Sequence, residues 1–362
     1  MTIAFITMHA ARNYGAVLQT YALQQVLESL GHQTVVINYR RKNQKLWNYL
    51  FHTNKKFKQN IIYRSAFIFK TIIPKIRTSI LFSQFILRHI SLSPIVKCGN
   101  KIESKVNADL YLVGSDQVWN PQANDGFDSM YFLNDCKGKK ASYASSIGIY
   151  ELNASERKYI KEKLQHYQRV SIREISSILL LDQLGIKAEC VLDPTLLLNR
   201  DDWEHLAVPI NVENNYLLIY YFGNANGIMH IAKKIAKKRG LRICRISVGF
   251  EKYPEDELIV RFVSPEQFIY LFLHTSFVIT NSFHGTAFSV NFCKEFLCYP
   301  TTEHNARFES ILQMFDLKNR NLRKMSTEIL DNLESINFVL VQEILQKQRS
   351  KSIQYIEEVL SI

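Results

Sequence analysis

Residues 277–288 read FVITNSFHGTAF and join two kinds of secondary structure through a short polar turn. The apolar run 277–279 has the length and branching of a buried strand, and 287–292 predicts a helix. A buried strand that turns directly into a helix is the repeating unit of parallel α/β sheets. The stretch therefore predicts an α/β fold, with a polar turn at the carboxyl end of one strand.

The turn itself contains residues that can carry chemistry. The strand stops at Asn281 and Ser282, and a helix restarts at Gly285 and Thr286, so backbone N–H groups and the helix dipole favour an anion there. His284 lies between them, and imidazole gives or takes a proton near neutral pH. We interpret the turn as an anion-binding catalytic centre. The structural alternative is that Ser282 and Thr286 only cap the helix and that His284 packs or faces water.

The same alternation of strands and helices extends over both halves of the chain and predicts two Rossmann-like, doubly wound domains facing a cleft. We expect the first domain at 1–195, with a basic helical insert at about 40–105, and the second at 196–335. The remaining residues, 336–362, predict C-terminal helices near 336–346 and 353–360 that fold back across the hinge.

Two further polar turns follow strands of the first domain. The turn after the first strand lacks the GxGxxG fingerprint, because it contains a single glycine, so a dinucleotide site is not supported. That glycine still lets backbone approach a ligand at a helix N-terminus. Polar residues just past a parallel strand mark the ligand side of an α/β sheet. The candidate ligand-facing residues are Asn13, Tyr14, Gly15, Ser115, Asp116 and Gln117.

The net charge of +12 is concentrated in the insert. No Asp or Glu occurs in residues 30–101, whereas fourteen Lys and Arg and many aromatic residues do. Basic residues mixed with aromatics suit an anionic membrane surface or nucleic acid, although no nucleic-acid motif accompanies them. The remaining alternative is a solvated insert that is merely basic.

Other features restrict the class of protein. The six cysteines are scattered without ligand spacing, which indicates reduced thiols and no metal site. We find no apolar run of membrane-spanning length and no secretion signal, and we therefore expect a cytoplasmic protein.

Six motifs in a fixed order resemble the polysaccharide pyruvyl transferase family over about residues 3–310, apart from the insert. They are NYGAVLQTYALQ at 13–24, VGSDQVWN at 113–120, SYASSIG at 142–148, SIRE at 171–174, LDPT at 192–195 and TNSFHGT at 280–286. The resemblance implies a two-domain fold like that of GT-B glycosyltransferases. It also implies an enzyme that moves the enolpyruvyl group of phosphoenolpyruvate onto two sugar hydroxyls, forming a pyruvate ketal and phosphate without a further cofactor.

The resemblance also implies roles for particular residues. His284 matches the motif histidine and is the expected acid/base. The N–H groups of Gly285 and Thr286, beside Asn281 and Ser282, are expected to cradle phosphate. We expect the Arg173 and Arg307 guanidinium groups to clamp the donor anion. The structural alternatives are an Arg173–Glu174 ion pair and a surface position for Arg307.

The acceptor is expected against the first domain, near the six ligand-facing residues named above. There Asp116 either steers a sugar hydroxyl or only shapes its own turn. Family acceptors are often lipid-linked sugars, which favours the inner membrane surface as the partner of the insert rather than nucleic acid. Two alternatives stay open, a GT-B glycosyltransferase using a nucleotide sugar and a non-catalytic glycan-binding member of the fold.

Overall fold

The computed structural model describes residues 1–41, 44–52, 61–99, 101–223, 225–300, 305–325 and 332–362. Parts of the basic insert and one residue of the loop at 223–227 lie outside these described residues. Within them the chain forms two parallel sheets covered by helices, so the predicted α/β class is confirmed.

The first half of the chain builds one sheet. Its strands are β1 (Thr2–Ile6), β2 (Gln33–Val36), β3 (Leu110–Val113), β4 (Lys140–Ser142), β5 (Ser171–Ile172) and β6 (Glu189–Cys190). The first four are parallel, in the order β2-β1-β3-β4. An isolated bridge between Ser145 and Ile172 continues this sheet towards the β5-β6 pair. The helices around this sheet are α1 (Tyr14–Ser29), α4 (Ala154–Leu164) and α5 (Ile175–Asp182).

The second half builds a five-stranded parallel sheet. Its strands are β7 (Tyr216–Tyr220), β8 (Arg242–Ser247), β9 (Leu258–Arg261), β10 (Phe277–Thr280) and β11 (Glu295–Cys298). Their order is β11-β10-β7-β8-β9, so the chain moves outward to one edge and then crosses back to the other, as in a doubly wound domain. The accompanying helices are α6 (Arg200–Leu206), α7 (Asn226–Arg239), α8 (Pro265–His274), α9 (Phe283–Asn291) and α10 (Ala306–Met314).

Helix α9 begins earlier than the sequence predicted. We expected a helix from residue 287, but it starts at Phe283, with the Ser282 hydroxyl as its N-cap. His284 therefore lies in the first helical turn instead of in a loop, and its backbone is held by the helix. Strand β9 was not predicted, because its side chains are only partly buried and lack a clear alternation.

The two halves meet through α1 and α8. The Tyr14 ring stacks on Phe268 with 4.3 Å between ring centroids, and its hydroxyl donates a 2.8 Å hydrogen bond to the Val263 carbonyl. Both helices contribute to one continuous hydrophobic core that extends across the two sheets. This packing turns the carboxyl ends of β1, β3 and β10 towards one another.

The insert forms two helices in its described part, α2 (Leu46–Leu50) and α3 (Ile61–His89). Helix α3 buries Phe82, Phe85 and Ile86 in the core shared by the two sheets. The chain then returns to the first sheet, where Leu92 forms an isolated bridge to Val36. The second half of the insert is thus packed against the two sheets. Its helices agree with the helical insert that the sequence predicted.

The C-terminus forms one continuous helix, α11 (Phe338–Leu360), and the prediction of two helices was wrong. Residues 347–352 contain neither Gly nor Pro, so nothing in the sequence breaks the helix there. Its buried face contacts the first sheet, where the Tyr355 hydroxyl donates to the Ser142 carbonyl at 2.9 Å.

Candidate active site

A cavity of about 470 Å³ opens where the carboxyl ends of the two sheets face each other. The first sheet contributes Arg12, Asn13, Asp116 and Gln117. The second contributes Asn281, Ser282, Phe283, His284 and Arg307. The insert adds a third wall with Arg41, Gln44 and Tyr49. Among the described residues that line the cavity, Asp116 is the single carboxylate, so the cavity as a whole attracts anions.

His284 is buried in the first turn of α9, between the two sheets. Its Nε2 atom lies 3.7 Å from Oδ2 of Asp193 and has no hydrogen-bond partner among the described residues. On its other side the ring lies against the backbone of Gly15, where an added Cβ would be 2.0 Å from Nδ1. Gly15 therefore makes room for the histidine, which the sequence had not indicated.

Asp193 is fully enclosed and carries its charge beside His284. Its Oδ2 accepts hydrogen bonds from Arg173 Nη1 at 2.6 Å and from Ser115 Oγ at 2.9 Å. Its Oδ1 accepts from the backbone and hydroxyl of Thr195. Burial by itself would raise the pKa of Asp193, but His284 and Arg173 outweigh it and hold the pKa well below its ordinary value. The Asp193 carboxylate therefore stays ionised next to the His284 ring.

Arg173 does not line the cavity. Its buried guanidinium pairs with Asp193 and lies 3.3 Å from Asp116 and 4.0 Å from Glu174. It also lies over the Phe283 ring, 4.5 Å from the centroid. The geometry therefore does not support the donor clamp that the sequence predicted for Arg173, because its charge is already neutralised. It acts as an internal counter-ion that positions two carboxylates.

Glu174 forms the 4.0 Å ion pair with Arg173 that was weighed as an alternative, and it also supports a loop. Its Oε1 accepts from the backbone N–H groups of Ile147 and Gly148 at 2.8 Å each, and from the Ser146 and Ser177 hydroxyls. These bonds fix the loop after β4 against the start of α5. The loop conformation around the site thus depends on a buried carboxylate.

Of the two arginines predicted to clamp the donor, Arg307 is the one that lines the cavity. It lies in the first turn of α10, and its Nε is buried without a hydrogen-bond partner among the described residues. Burial, with a smaller contribution from Arg173, lowers the pKa of Arg307 to about 10. A buried cation with an unsatisfied donor is costly in the free protein, and an anion in the cavity would relieve that cost.

The N-terminus of α9 differs in detail from the predicted phosphate cradle. The Gly285 N–H donates to the Ser282 hydroxyl, and the Thr286 N–H donates to the Ser282 carbonyl. In this first turn of α9, the backbone N–H groups of Phe283 and His284 have no hydrogen-bond partner among the described residues. Gly285 and Thr286 are buried and line no part of the cavity.

Asn281 and Ser282, the two polar residues before α9, form hydrogen bonds within the protein and also line the cavity. The Asn281 side chain exchanges two hydrogen bonds with the backbone of Phe222, which ties the end of β10 to the end of β7. Ser282 caps the helix. Their predicted contacts with a donor remain predictions.

The predicted acceptor-side residues divide into two groups. Asn13, which caps α1, lines the cavity, as do Asp116 and Gln117. Asp116 has a left-handed backbone with φ of 77°, and its Oδ1 accepts from the Gln117 N–H. Three other candidates do not line it: Tyr14 packs towards α8, Gly15 faces His284, and Ser115 donates to Asp193.

Sequence reasoning missed two contributions to the site. Asp193 was recognised as part of the LDPT motif but was given no role, although a lone carboxylate between a strand and a proline was the available signal. Arg41, Gln44 and Tyr49 were assigned only to the basic insert, yet they form a cavity wall. No local pattern reveals that wall, because it depends on how the insert packs. The described residues contain no group of three or more His, Cys, Asp or Glu side chains placed to hold a metal ion.

Comparison with solved structures defines the fold class. UDP-GlcNAc 2-epimerase from Methanocaldococcus jannaschii superimposes with a TM-score of 0.52 at 12% identity, covering 100% of this chain and 99% of that one. The Neisseria meningitidis enzyme of the same name, bound to UDP-GlcNAc, gives 0.53 at 12% identity and 99% of both chains. Arabidopsis thaliana UGT89C1 complexed with UDP-L-rhamnose gives 0.51 at 12%, covering 99% and 98%. The chain therefore has the two-domain fold of GT-B glycosyltransferases and UDP-GlcNAc epimerases.

The family is defined by sequence. A family model described as Polysaccharide pyruvyl transferase matches residues 13–303, which is most of the chain. No curated protein sequence matches. The chain thus belongs to the polysaccharide pyruvyl transferase family, as the ordered motifs had indicated.

Proposed function

We propose that the chain transfers the enolpyruvyl group of phosphoenolpyruvate onto two hydroxyls of a sugar in a cell-surface polysaccharide precursor. The products are a pyruvate ketal and inorganic phosphate. Family membership supports the reaction class. The observation that carries the proposal is the Arg307 guanidinium, whose enclosed Nε has no hydrogen-bond partner among the described residues, in the same cavity as the His284 imidazole that faces Asp193. This pair offers an anion-binding cation beside an acid/base.

The donor fits the second-sheet side of the cavity. Phosphoenolpyruvate carries a carboxylate and a phosphate, and both need cations or N–H donors once water is excluded. Arg307 supplies a forked guanidinium, and the open N–H groups of Phe283 and His284 supply the positive end of α9. Arg173 takes no part in this binding, since Asp193 and Asp116 already neutralise it.

The chemistry then requires one proton donor and one proton acceptor. In the proposed step His284, which faces Asp193, gives a proton to the methylene carbon, and C2 becomes electrophilic. One sugar hydroxyl forms a C–O bond to C2 and loses its proton, which returns to the imidazole. The second hydroxyl forms the other C–O bond as the C–O bond to phosphate breaks, and its proton leaves with the phosphate. No oxidant or reductant is needed.

The acceptor fits the opposite wall. Asn13, Asp116 and Gln117 present amide and carboxylate groups towards the cavity, and such groups bind sugar hydroxyls. In this arrangement Asp116 orients the attacking hydroxyl, while its bond from Arg173 Nη2 fixes its direction. The insert residues Arg41 and Tyr49 form a further wall of the cavity. The rest of a lipid-linked or oligosaccharide acceptor would extend along this wall.

The second candidate function is transfer from a nucleotide sugar. The superimposed structures include complexes with UDP-GlcNAc and UDP-L-rhamnose. In this chain, Phe222 lines the cavity beside the end of β7 and offers an aromatic surface for a base. Nucleotide ligands therefore belong in any binding test.

Arg307→Met is the variant that tests the donor site most directly. In thermal or urea unfolding, phosphoenolpyruvate should stabilise the wild-type protein by about 2.7 kcal/mol at a hundredfold excess over Kd. Loss of a charged hydrogen bond costs about 1.5–3 kcal/mol, so we expect Kd to rise roughly 10- to 150-fold in Arg307→Met. Without ligand the same variant should be as stable as the wild type or more stable, because a cation whose enclosed Nε lacks a partner among the described residues is removed.

Arg242→Met is the matched control, since Arg242 is exposed at the first position of β8, whereas the cavity lies at the carboxyl ends of the strands. It should bind phosphoenolpyruvate as the wild type does. His284→Gln should also bind the donor but form no ketal when acceptor is present. Stabilisation by UDP with none by phosphoenolpyruvate would overturn the proposal and favour the nucleotide-sugar reaction.

A further inference from the structure

Helix α3 carries an apolar stripe on its outward face. Phe69 is 83% exposed and Leu87 is 78% exposed, and the isoleucines between them are exposed as well. The stripe consists of Phe69, Ile73, Ile76, Ile80 and Leu87. These positions are separated by steps of three, four or seven residues, so they share one side of the helix. At 1.5 Å per residue the stripe is about 27 Å long.

The opposite side of α3 is already occupied. Pro74, Thr78, Phe82 and Phe85 are buried, and the helix contacts α1 and α8 there. The stripe is therefore not needed for the packing of the described chain. Contiguous apolar surface of this length on a folded protein marks an interaction site.

The charged side chains of α3 beside the stripe are all positive. Lys70, Arg77 and Arg88 are seven and eleven residues apart, which places them along one flank of the stripe. Residues 30–101 contain no Asp or Glu at all. The acidic side chain that approaches this flank is Glu266 of α8, 4.0 Å from Arg88. The flank is therefore basic along most of its length.

We propose that this face of α3 docks on an anionic lipid surface. The stripe enters the boundary between headgroups and acyl chains, and the basic flank contacts the headgroups, which is the arrangement of an interfacial amphipathic helix. Among the described helices, none is both long and apolar enough to cross a bilayer, so the attachment is peripheral. The inference depends on this surface alone and not on the proposed reaction.

The charge pattern favours lipid over a second copy of the chain. The stripe spacing also resembles the seam of a helix pair, in which apolar residues alternate at three and four positions. Pairing two copies would bring identical basic flanks together, and residues 30–101 supply no acidic residue to offset them. Anionic headgroups supply the missing negative charge.

Vesicle flotation tests the docking surface with two matched pairs of variants. Wild-type protein should float with phosphatidylcholine vesicles that contain phosphatidylglycerol and much less with phosphatidylcholine alone. Phe69→Gln/Leu87→Gln should weaken the binding at least about tenfold, because the apolar stripe is lost. Its control, Leu179→Gln/Val339→Gln, removes two side chains that are also exposed, but on α5 and α11, and should bind normally.

A second pair of variants tests the basic flank in the same way. Lys70→Gln/Arg88→Gln should weaken binding by about tenfold or more, since each cation near an anionic surface contributes about fivefold. Lys158→Gln/Lys161→Gln removes two exposed lysines from α4 and should leave binding unchanged. Added NaCl should weaken the wild type and leave the charge variant less affected.

A reporter variant distinguishes insertion from loose adsorption. Phe69→Trp should show a blue-shifted tryptophan emission when vesicles are added, and Val339→Trp should not. Equal flotation by the stripe variant and its control would overturn the proposal. So would lipid-free dimers in light scattering that become monomers in Phe69→Gln/Leu87→Gln, because they would assign the stripe to a second copy.

Discussion

Asp193 is the residue on which the candidate site depends most. Its carboxylate accepts from Arg173, Ser115 and Thr195 and faces His284, and none of these contacts reaches solvent. Removing one partner of a buried ion pair costs about 3–5 kcal/mol. Asp116 remains beside Arg173 in such a variant. We therefore expect Asp193→Asn to lose about 3 kcal/mol at pH 7 in urea unfolding, the lower end of that range.

The pH dependence of this loss follows from the lowered pKa of Asp193. Because the folded pKa lies below the unfolded one, the unfolded chain takes up the proton first as the pH falls. The stabilisation is complete above the unfolded value, about pH 4, and declines at lower pH. The difference between wild type and Asp193→Asn should therefore shrink in acid. Asp182→Asn, at an exposed position on α5, is the control, and a difference that stays constant with pH would contradict the assignment.

Helices α1 and α9 approach so closely that one glycine decides the position of the His284 side chain. A Cβ at Gly15 would lie 2.0 Å from His284 Nδ1, so Gly15→Ala must displace the imidazole or the helix that carries it. A misplacement of about 1 Å commonly costs about 10²-fold in rate. We expect Gly15→Ala to lower kcat for ketal formation by about that factor while phosphoenolpyruvate still binds.

Gly227 of α7 offers the matched control for this substitution. A Cβ there meets nothing within 4 Å. Gly227→Ala should therefore keep full activity and gain up to about 1 kcal/mol of stability from helix propensity. Full activity in Gly15→Ala would show that the imidazole does not act from the position seen here.

At the scale of the whole molecule, α11 fastens the two sheets to the segment that links them. Arg349 donates to the carbonyls of Leu196 and Leu198 in the link and to the Asn291 side chain of α9. Burial lowers the pKa of Arg349 from its ordinary value, while Asp202 and Cys293 act in the opposite direction. These bonds connect α11 to the helix that carries His284.

We expect Arg349→Met to lose about 3 kcal/mol in urea unfolding, because it leaves buried carbonyls without donors. Activity should fall with it, since the support of α9 is weakened. Arg200→Met removes an exposed i,i+4 pair with Glu204 and should change stability by less than about 0.5 kcal/mol. Equal effects of the two substitutions would contradict a structural role for α11 in the cleft.

Local sequence determined the strands and helices and the residue types at their ends. Apolar periodicity predicted most strands of both sheets. The start of α8 is likewise local, because Ser264 and Gln267 form its capping box. The ordered motifs predicted the family. His284 was chosen from a motif and Arg307 for its residue type, and both line the cavity. These properties depend on neighbours a few positions apart in the chain.

Only the tertiary structure decided which candidates face the cavity and which support it. Arg173 and Ser115 turn inward to Asp193, Tyr14 turns to α8, and the insert supplies a cavity wall. Parallel strands bring together the ends of segments that lie 20 to 78 residues apart, as the contacts of Asp193 with Arg173 and Ser115 show. Local periodicity does not encode such contacts, because burial and charge pairing are decided when the two sheets close on each other.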